Sequence, residues 1–233
     1  QFEVMRITSV YDFIQSRFEK PALLDLHDGS AVVFANPDFD GLNFTEMGST
    51  GHLETRNGIS PLPFTETEAE VVADILIDSG LETKVFLGAE ASELNFKTSH
   101  DVSIVHLATH GFSNGGSNRS VVRSKFLDDF HGCGLILSPE SRSATGRNEN
   151  GWLTASEVAS LDLGGTRLAV LSACNTSNGA SAMRSGDYSL AKAFLQSGVD
   201  ATVSSLWEVD DSITAQLMSV FYERLMSGES VSE

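Results

Sequence analysis

A chain of 233 residues, 41% hydrophobic and 20% charged, accommodates one large α/β domain or two small ones. A single domain of this size buries roughly three-quarters of the surface its unfolded chain exposes, so disulfides and metals are not needed to hold it. Thirty-two acidic residues against 15 basic ones give a net charge of −17, which opposes contact with nucleic acid or anionic membranes and favours basic peptides; solubility is the plainer use of that charge.

Apolar runs alternate with amphipathic stretches along the chain, the pattern of a parallel sheet covered by helices. Residues 2–10 read as a strand. Residues 31–35 (AVVFA) form a buried strand stopped by Asn36-Pro37-Asp38, and residues 38–63, rich in Gly, Asn, Thr and Pro, form a long loop. A helix follows, with Thr65 and Glu68 as a capping box. Ala69, Val72, Ala73, Leu76 and Ile77 recur at helical spacing until Gly80. Residues 83–87 are a strand, 91–96 a short helix and 102–108 a strand. The stretch 111–151 reads mostly as loop around a small apolar island, Leu135-Ile136-Leu137. Thr154 and Glu157 cap a short helix. Strands at 168–172 and 201–206 then alternate with helices at 188–196 and 212–226.

The only cysteines, Cys133 and Cys174, match no redox pair, zinc pattern or disulfide scaffold, so a reducing, cytoplasmic setting is expected. No apolar run approaches the roughly 18 residues of a membrane span. Ser230 and Glu233 form a capping box without its helix, and the first strand has no preceding element. Both ends therefore read as cut, and the chain as a single domain taken from a longer protein.

Two strands end conspicuously. Val105-His106-Leu107-Ala108 runs into Thr109-His110-Gly111, and Ala169-Val170-Leu171-Ser172 into Ala173-Cys174-Asn175-Thr176. Reactive groups gather beyond the carboxyl ends of parallel strands, where the strand-to-helix loops open. If the two strands are neighbours, His110 and Cys174 face one crevice. A free thiol is only about 3% thiolate at neutral pH; an imidazole beside it takes the proton and later protonates a departing amine. The N–H groups of Gly111 and Cys174 are candidates for an oxyanion hole. Each residue has a plainer reading: a cysteine near an apolar strand is usually a small core residue, and a histidine before glycine is often a turn. His106 lies within its strand, on the opposite parity from Leu107, and reads as a packed histidine. Cys133 receives no role.

The segments VHLATHG (105–111), LAVLSACNTS (168–177), SGDYSLAKAFLQSGVDATVSSLWEVDD (185–211) and FYERLMSG (221–228) resemble a CHAT domain. That caspase-like peptidase domain often follows tetratricopeptide repeats and is related to separase and the caspases. The resemblance covers nearly the whole chain. It implies a caspase-like three-layer α/β fold, with a mainly parallel sheet and helices on both faces. It also implies His110 as general base and acid, Cys174 as nucleophile, and an oxyanion hole from Gly111 and Cys174. The S-A-C-N-T wording departs from the Q-A-C-x-G of caspases, so aspartate specificity does not carry over.

In the separase-like relatives, the place of Trp207–Asp211 lines the pocket for the residue before the scissile bond. An acidic floor from Asp211, or Asp210, suits an Arg or Lys there. The competing use of either is to cap the following helix. Asp187 likewise either nears the cleft or caps the helix after it. The expected function is cysteine endopeptidase activity on a protein substrate, without metal or organic cofactor. A repeat domain, sensor or partner protein is expected to control the loops at 111–132 and 138–151. The rivals are a catalytically silent interaction module and another thiol-based acyl transferase or hydrolase acting on small molecules.

Overall fold

The computed structural model describes residues 26, 29–42, 59–99, 101–113, 133–140, 149–173, 190–204, 211–229 and 231. Along it run β1 (Ser30–Pro37), α1 (Pro63–Asp78), β2 (Glu82–Gly88), α2 (Glu93–Thr98), β3 (Ile104–Ala108), β4 (Gly111–Ser113) and β5 (Cys133–Ile136). Then come β6 (Trp152–Thr154), α3 (Ala155–Ser160), β7 (Leu168–Ser172), α4 (Leu190–Gln196), β8 (Ala201–Ser204) and α5 (Asp211–Met226). Five strands form an all-parallel sheet in the order β2-β1-β3-β7-β8. This is the three-layer α/β architecture expected from the sequence. Among the described residues no helix is long and apolar enough to cross a membrane.

Strand parity divides the core. Val32, Phe34, Val105, Leu107, Ala169 and Leu171 point to one face, where Phe96 of α2, Val158 of α3 and Phe194 of α4 cover them. Ala31, Val33, Ile104, Ala108, Leu168 and Val170 point to the other, beneath Ala69, Val72 and Leu76 of α1 and Met218, Tyr222 and Leu225 of α5. Strands buried on both faces have no reason to alternate polar with apolar residues, which is why they read as continuous apolar runs. A chain of rings ties the first face together. Phe34 stacks on Phe86 at 4.5 Å, and Phe96 meets Phe34 and Phe194 edge-on at 5.9 and 6.0 Å.

The stretch expected to be loop contains a second sheet. β4, β5 and β6 pair antiparallel, with Phe112, Ile136 and Trp152 packed on Leu42. Strands of three or four residues are too short to show periodicity, so only the island at 135–137 was visible beforehand. Gly134 sits at the tightest point: a Cβ there would meet the Leu153 carbonyl and the Phe112 ring.

The start of α1 also differs. Pro63 takes the first helical position after Leu62, and no side chain caps the helix. Thr65 instead donates to the Leu62 carbonyl at 2.7 Å and accepts the Asn36 N–H at 3.0 Å, fastening α1 to the end of β1. Glu68 is buried in the core. The expected capping box at Thr65 and Glu68 is thus replaced by tertiary bonds, whereas the one at Thr154 and Glu157 forms fully. The expected strand at 2–10 and the Ser230/Glu233 box fall on residues outside those described.

Gly134→Ala is expected to destabilise the chain by about 1–3 kcal/mol, the usual cost of an overpacked site, read as a lowered urea midpoint. An unchanged midpoint would contradict the close approach of β5 to Leu153.

Candidate active site

β3 lies between β1 and β7, and its parallel register with β7 runs from Ile104 opposite Leu168 to Ala108 opposite Ser172. His110 and Cys174 each follow that last pair by two residues. Neighbouring strands lie about 4.8 Å apart, so the two chain segments leave the sheet side by side. Cys174 itself lies outside the described residues, as do Asp187 and Asp210; the description of the second exit stops at the buried Ala173.

His110 occupies the joint between the two sheets, since β3 passes through Thr109 and His110 directly into β4. Three bonds hold the joint. The Thr109 hydroxyl donates to the Ile136 carbonyl, the Ile136 N–H donates to the His110 carbonyl at 2.9 Å, and His110 Nε2 lies 2.9 Å from the Ser60 carbonyl. A carbonyl only accepts, so Nε2 carries a hydrogen. In the neutral ring, Nδ1 is then the basic atom. Phe39 packs against the imidazole at 5.4 Å between centroids and restricts it further. The ring is half-buried, open enough to meet another group.

Gly111 pairs with Leu135, and the Ile136-to-His110 bond makes this a non-hydrogen-bonded pair. Its N–H therefore points away from β5 instead of joining that ladder. Asp211 is the first residue of α5, one position earlier than expected, and an acid there suits a helix start.

Below the joint, His106 is fully buried as expected, and it has partners that the sequence did not suggest. Its Nδ1 lies 3.2 Å from the Tyr222 hydroxyl and its Nε2 3.1 Å from Glu68 Oε1. The latter contact is close in distance but not aligned as a hydrogen bond. Burial, helped by the negative charge of Glu68, holds the Tyr222 phenol well above its ordinary pKa.

One acidic cluster has the make-up of a cation site. Oxygens of Glu93, Glu149 and Glu157 lie within 4.8 Å of one another. Lys97 already supplies the cation, with Nζ at 2.6, 2.7 and 2.9 Å from the three, so the residues do not call for a metal. Burial raises Glu93 to about 7 against the pull of Lys97. Burial opposes the charge on Lys97 too, yet the hydrogen bonds it donates to the carboxylates lift it above the usual lysine range. Glu157 is held below its ordinary value despite burial, by its bonds to Thr154 and by Lys97. The cluster ties α2 to the residues around β6. Residues so scattered in sequence, apart from the i, i+4 pair Glu93/Lys97, gave no signal beforehand.

A family model described as CHAT domain matches residues 1–233. No curated protein sequence matches the chain. Among solved structures, the flavodoxin of Streptococcus pneumonia TIGR4 aligns at 16% identity with a TM-score of 0.37, over 85% of this chain and 97% of that one. At that score the alignment carries no argument about fold or function.

The Glu93 proton sets a pH dependence. The folded chain keeps it up to about 7, while the unfolded chain releases it near 4.5, so this contribution to stability declines as pH climbs between the two. Glu93→Gln cannot ionise and keeps an acceptor for the Gly151 N–H. Its urea midpoint is expected to vary less than wild type between about pH 5 and pH 7; identical slopes would contradict the assignment.

Proposed function

The chain belongs to the CHAT domain family of caspase-like proteins, and from that premise we propose that it is a cysteine endopeptidase acting through His110 and Cys174. The observation that carries the reading is the register of β3 on β7, which makes neighbours of the two strands that His110 and Cys174 follow in sequence. The bond from His110 Nε2 to the Ser60 carbonyl supports it, because that bond leaves Nδ1 free as a base and keeps the ring from turning.

In the proposed cycle, His110 Nδ1 takes the Cys174 proton and the sulfur adds to the scissile carbonyl carbon. The oxygen becomes an oxyanion beside the N–H groups of Gly111 and Cys174. Collapse breaks the C–N bond, the amine leaves with the proton from His110, and a thioester remains on Cys174. Water, deprotonated by the same imidazole, then releases the carboxylic acid and restores the thiol. No metal or organic cofactor takes part.

We assign the residue before the scissile bond to Arg or Lys, with Asp211, Asp210 and Asp187 as the acidic groups facing it. The net charge of −17 favours basic polypeptides at long range. A regulatory domain or partner protein would control access through the stretches 111–132 and 138–151. A silent interaction module of the same fold is the second reading; the two differ in whether Cys174 reacts.

A peptidyl electrophile with Arg at P1 is expected to label Cys174 in wild type and not in Cys174→Ala. His110→Ala is expected to slow cleavage by about 10²–10⁴-fold, the usual worth of a general acid–base. Intact protein that neither labels nor cleaves, with its partner present, supports the silent module. A preference for Asp or an apolar P1 residue removes the role given to Asp211.

A further inference from the structure

Among the described residues two clusters contain buried carboxylates. Lys97 accounts for the first, since its ammonium answers three of them. The second has no such balance. Glu68 and His106 are 1% and 0% exposed, with Glu68 Oε1 3.1 Å from His106 Nε2. Neither atom has an aligned hydrogen bond among the described residues. A pair of apolar side chains there would avoid the cost of desolvation, so the polar pair calls for a use.

The surroundings of His106 leave it two polar neighbours. Val33 of β1 and Val170 of β7 stand beside it in the sheet, and both are fully buried. The polar contacts come from the helices: Glu68 of α1 at Nε2, and the Tyr222 hydroxyl of α5 at 3.2 Å from Nδ1. Tyr222 stays a phenol, because burial and the charge of Glu68 both oppose its ionisation. Among the described residues Nδ1 is the acceptor its O–H finds. Nε2 then carries the hydrogen that faces the carboxylate. In a core of low dielectric that attraction is strong even off the hydrogen-bond axis.

α1 and its lead-in meet β3 and the residues just beyond it at two points. Glu68 faces His106, and four residues further along the chain His110 Nε2 donates to the Ser60 carbonyl, just before α1. Between those points the lead-in has little freedom. Ser60 and Leu62 each precede a proline, which keeps both from helical backbone. The Leu62 carbonyl accepts from the Thr65 N–H at 3.0 Å and from its hydroxyl at 2.7 Å, tying the lead-in to the first turn. A stiff lead-in passes a shift of α1 on to the Ser60 carbonyl instead of absorbing it.

We infer that Glu68 is a positioning residue for His110. Its hold on His106 fixes where α1 lies along β3. The lead-in then presents the Ser60 carbonyl to His110 Nε2, which leaves Nδ1 as the base. Tyr222 serves the same end from α5, by keeping the His106 ring in the orientation that faces Glu68. The inference rests on the peptidase reading for its catalytic meaning, but the hydrogen bond it concerns exists without catalysis.

The test uses the whole chain as wild type, Glu68→Gln, Glu68→Leu and the triple variant Glu68→Leu/His106→Leu/Tyr222→Phe. Gln keeps an oxygen for His106 and Leu removes it. The triple variant removes the whole group and strands no partner, so it decides if Glu68→Leu does not fold. Nuclear magnetic resonance follows solvent exchange of the His110 Nε2 hydrogen, with β7 amides as the gauge of global opening. Relative to those amides, the hydrogen is expected to exchange about tenfold faster in both Leu variants and to stay close to wild type in Glu68→Gln. Labelling of Cys174 by a peptidyl electrophile with Arg at P1 is expected to slow in the Leu variants and to recover in Glu68→Gln. Wild-type exchange in a folded variant without the Glu68 oxygen overturns the inference, whatever the labelling shows. Equal loosening of β7 and of the His110 hydrogen overturns it in favour of a general role in stability. A wild type that does not label removes the peptidase reading, and the exchange still decides whether Glu68 positions His110.

Discussion

Strand β3 is buried along its whole length and paired in parallel register on both edges, so the way it leaves the sheet has little freedom. A shift of one residue would turn Val105 and Leu107 away from the ring cluster and drive His106 into it. Where β3 ends, Thr109 and His110 are at once bonded to Ile136 of the second sheet and to Ser60 at the approach to α1. The candidate base therefore stands on two sheets and one helix lead-in. A residue fixed from three directions needs no reorganisation when a substrate arrives, which is where most of the value of a preorganised site lies.

The antiparallel sheet is the less visible half of that support. Its β4 continues β3 without a break, and Ser138, just after β5, reaches back to the first two strands. Its hydroxyl donates to the Gly88 carbonyl and accepts the Asp38 N–H. Lys97 with its three carboxylates anchors the other side of the same sheet to α2. Ion clusters of this kind seldom add much net stability, because desolvation offsets the attraction. Loss of Lys97 would leave three carboxylates facing one another without their cation, so the cluster holds only in this one arrangement.

The second buried polar group, Glu68 with His106 and Tyr222, binds α1, β3 and α5 into one unit. The inward face of α5 holds Tyr222 against the strand that leads to the candidate base.

How much of this was legible beforehand differs by element. Long buried strands such as 168–172, whose bounds match the structure residue for residue, are visible because a strand covered on both faces must be apolar throughout. The helix at α5 is visible for the complementary reason, its 3.6-residue period. The chain's own order also placed His110 and Cys174 just past strand ends, and the family to which it belongs follows from its motifs. Which strands are neighbours, the Ser60 carbonyl on His110, the second sheet, and the partners of Glu68 and Lys97 were decided only by the tertiary structure. Each depends on residues far apart in sequence meeting through packing, and no local period records such a meeting.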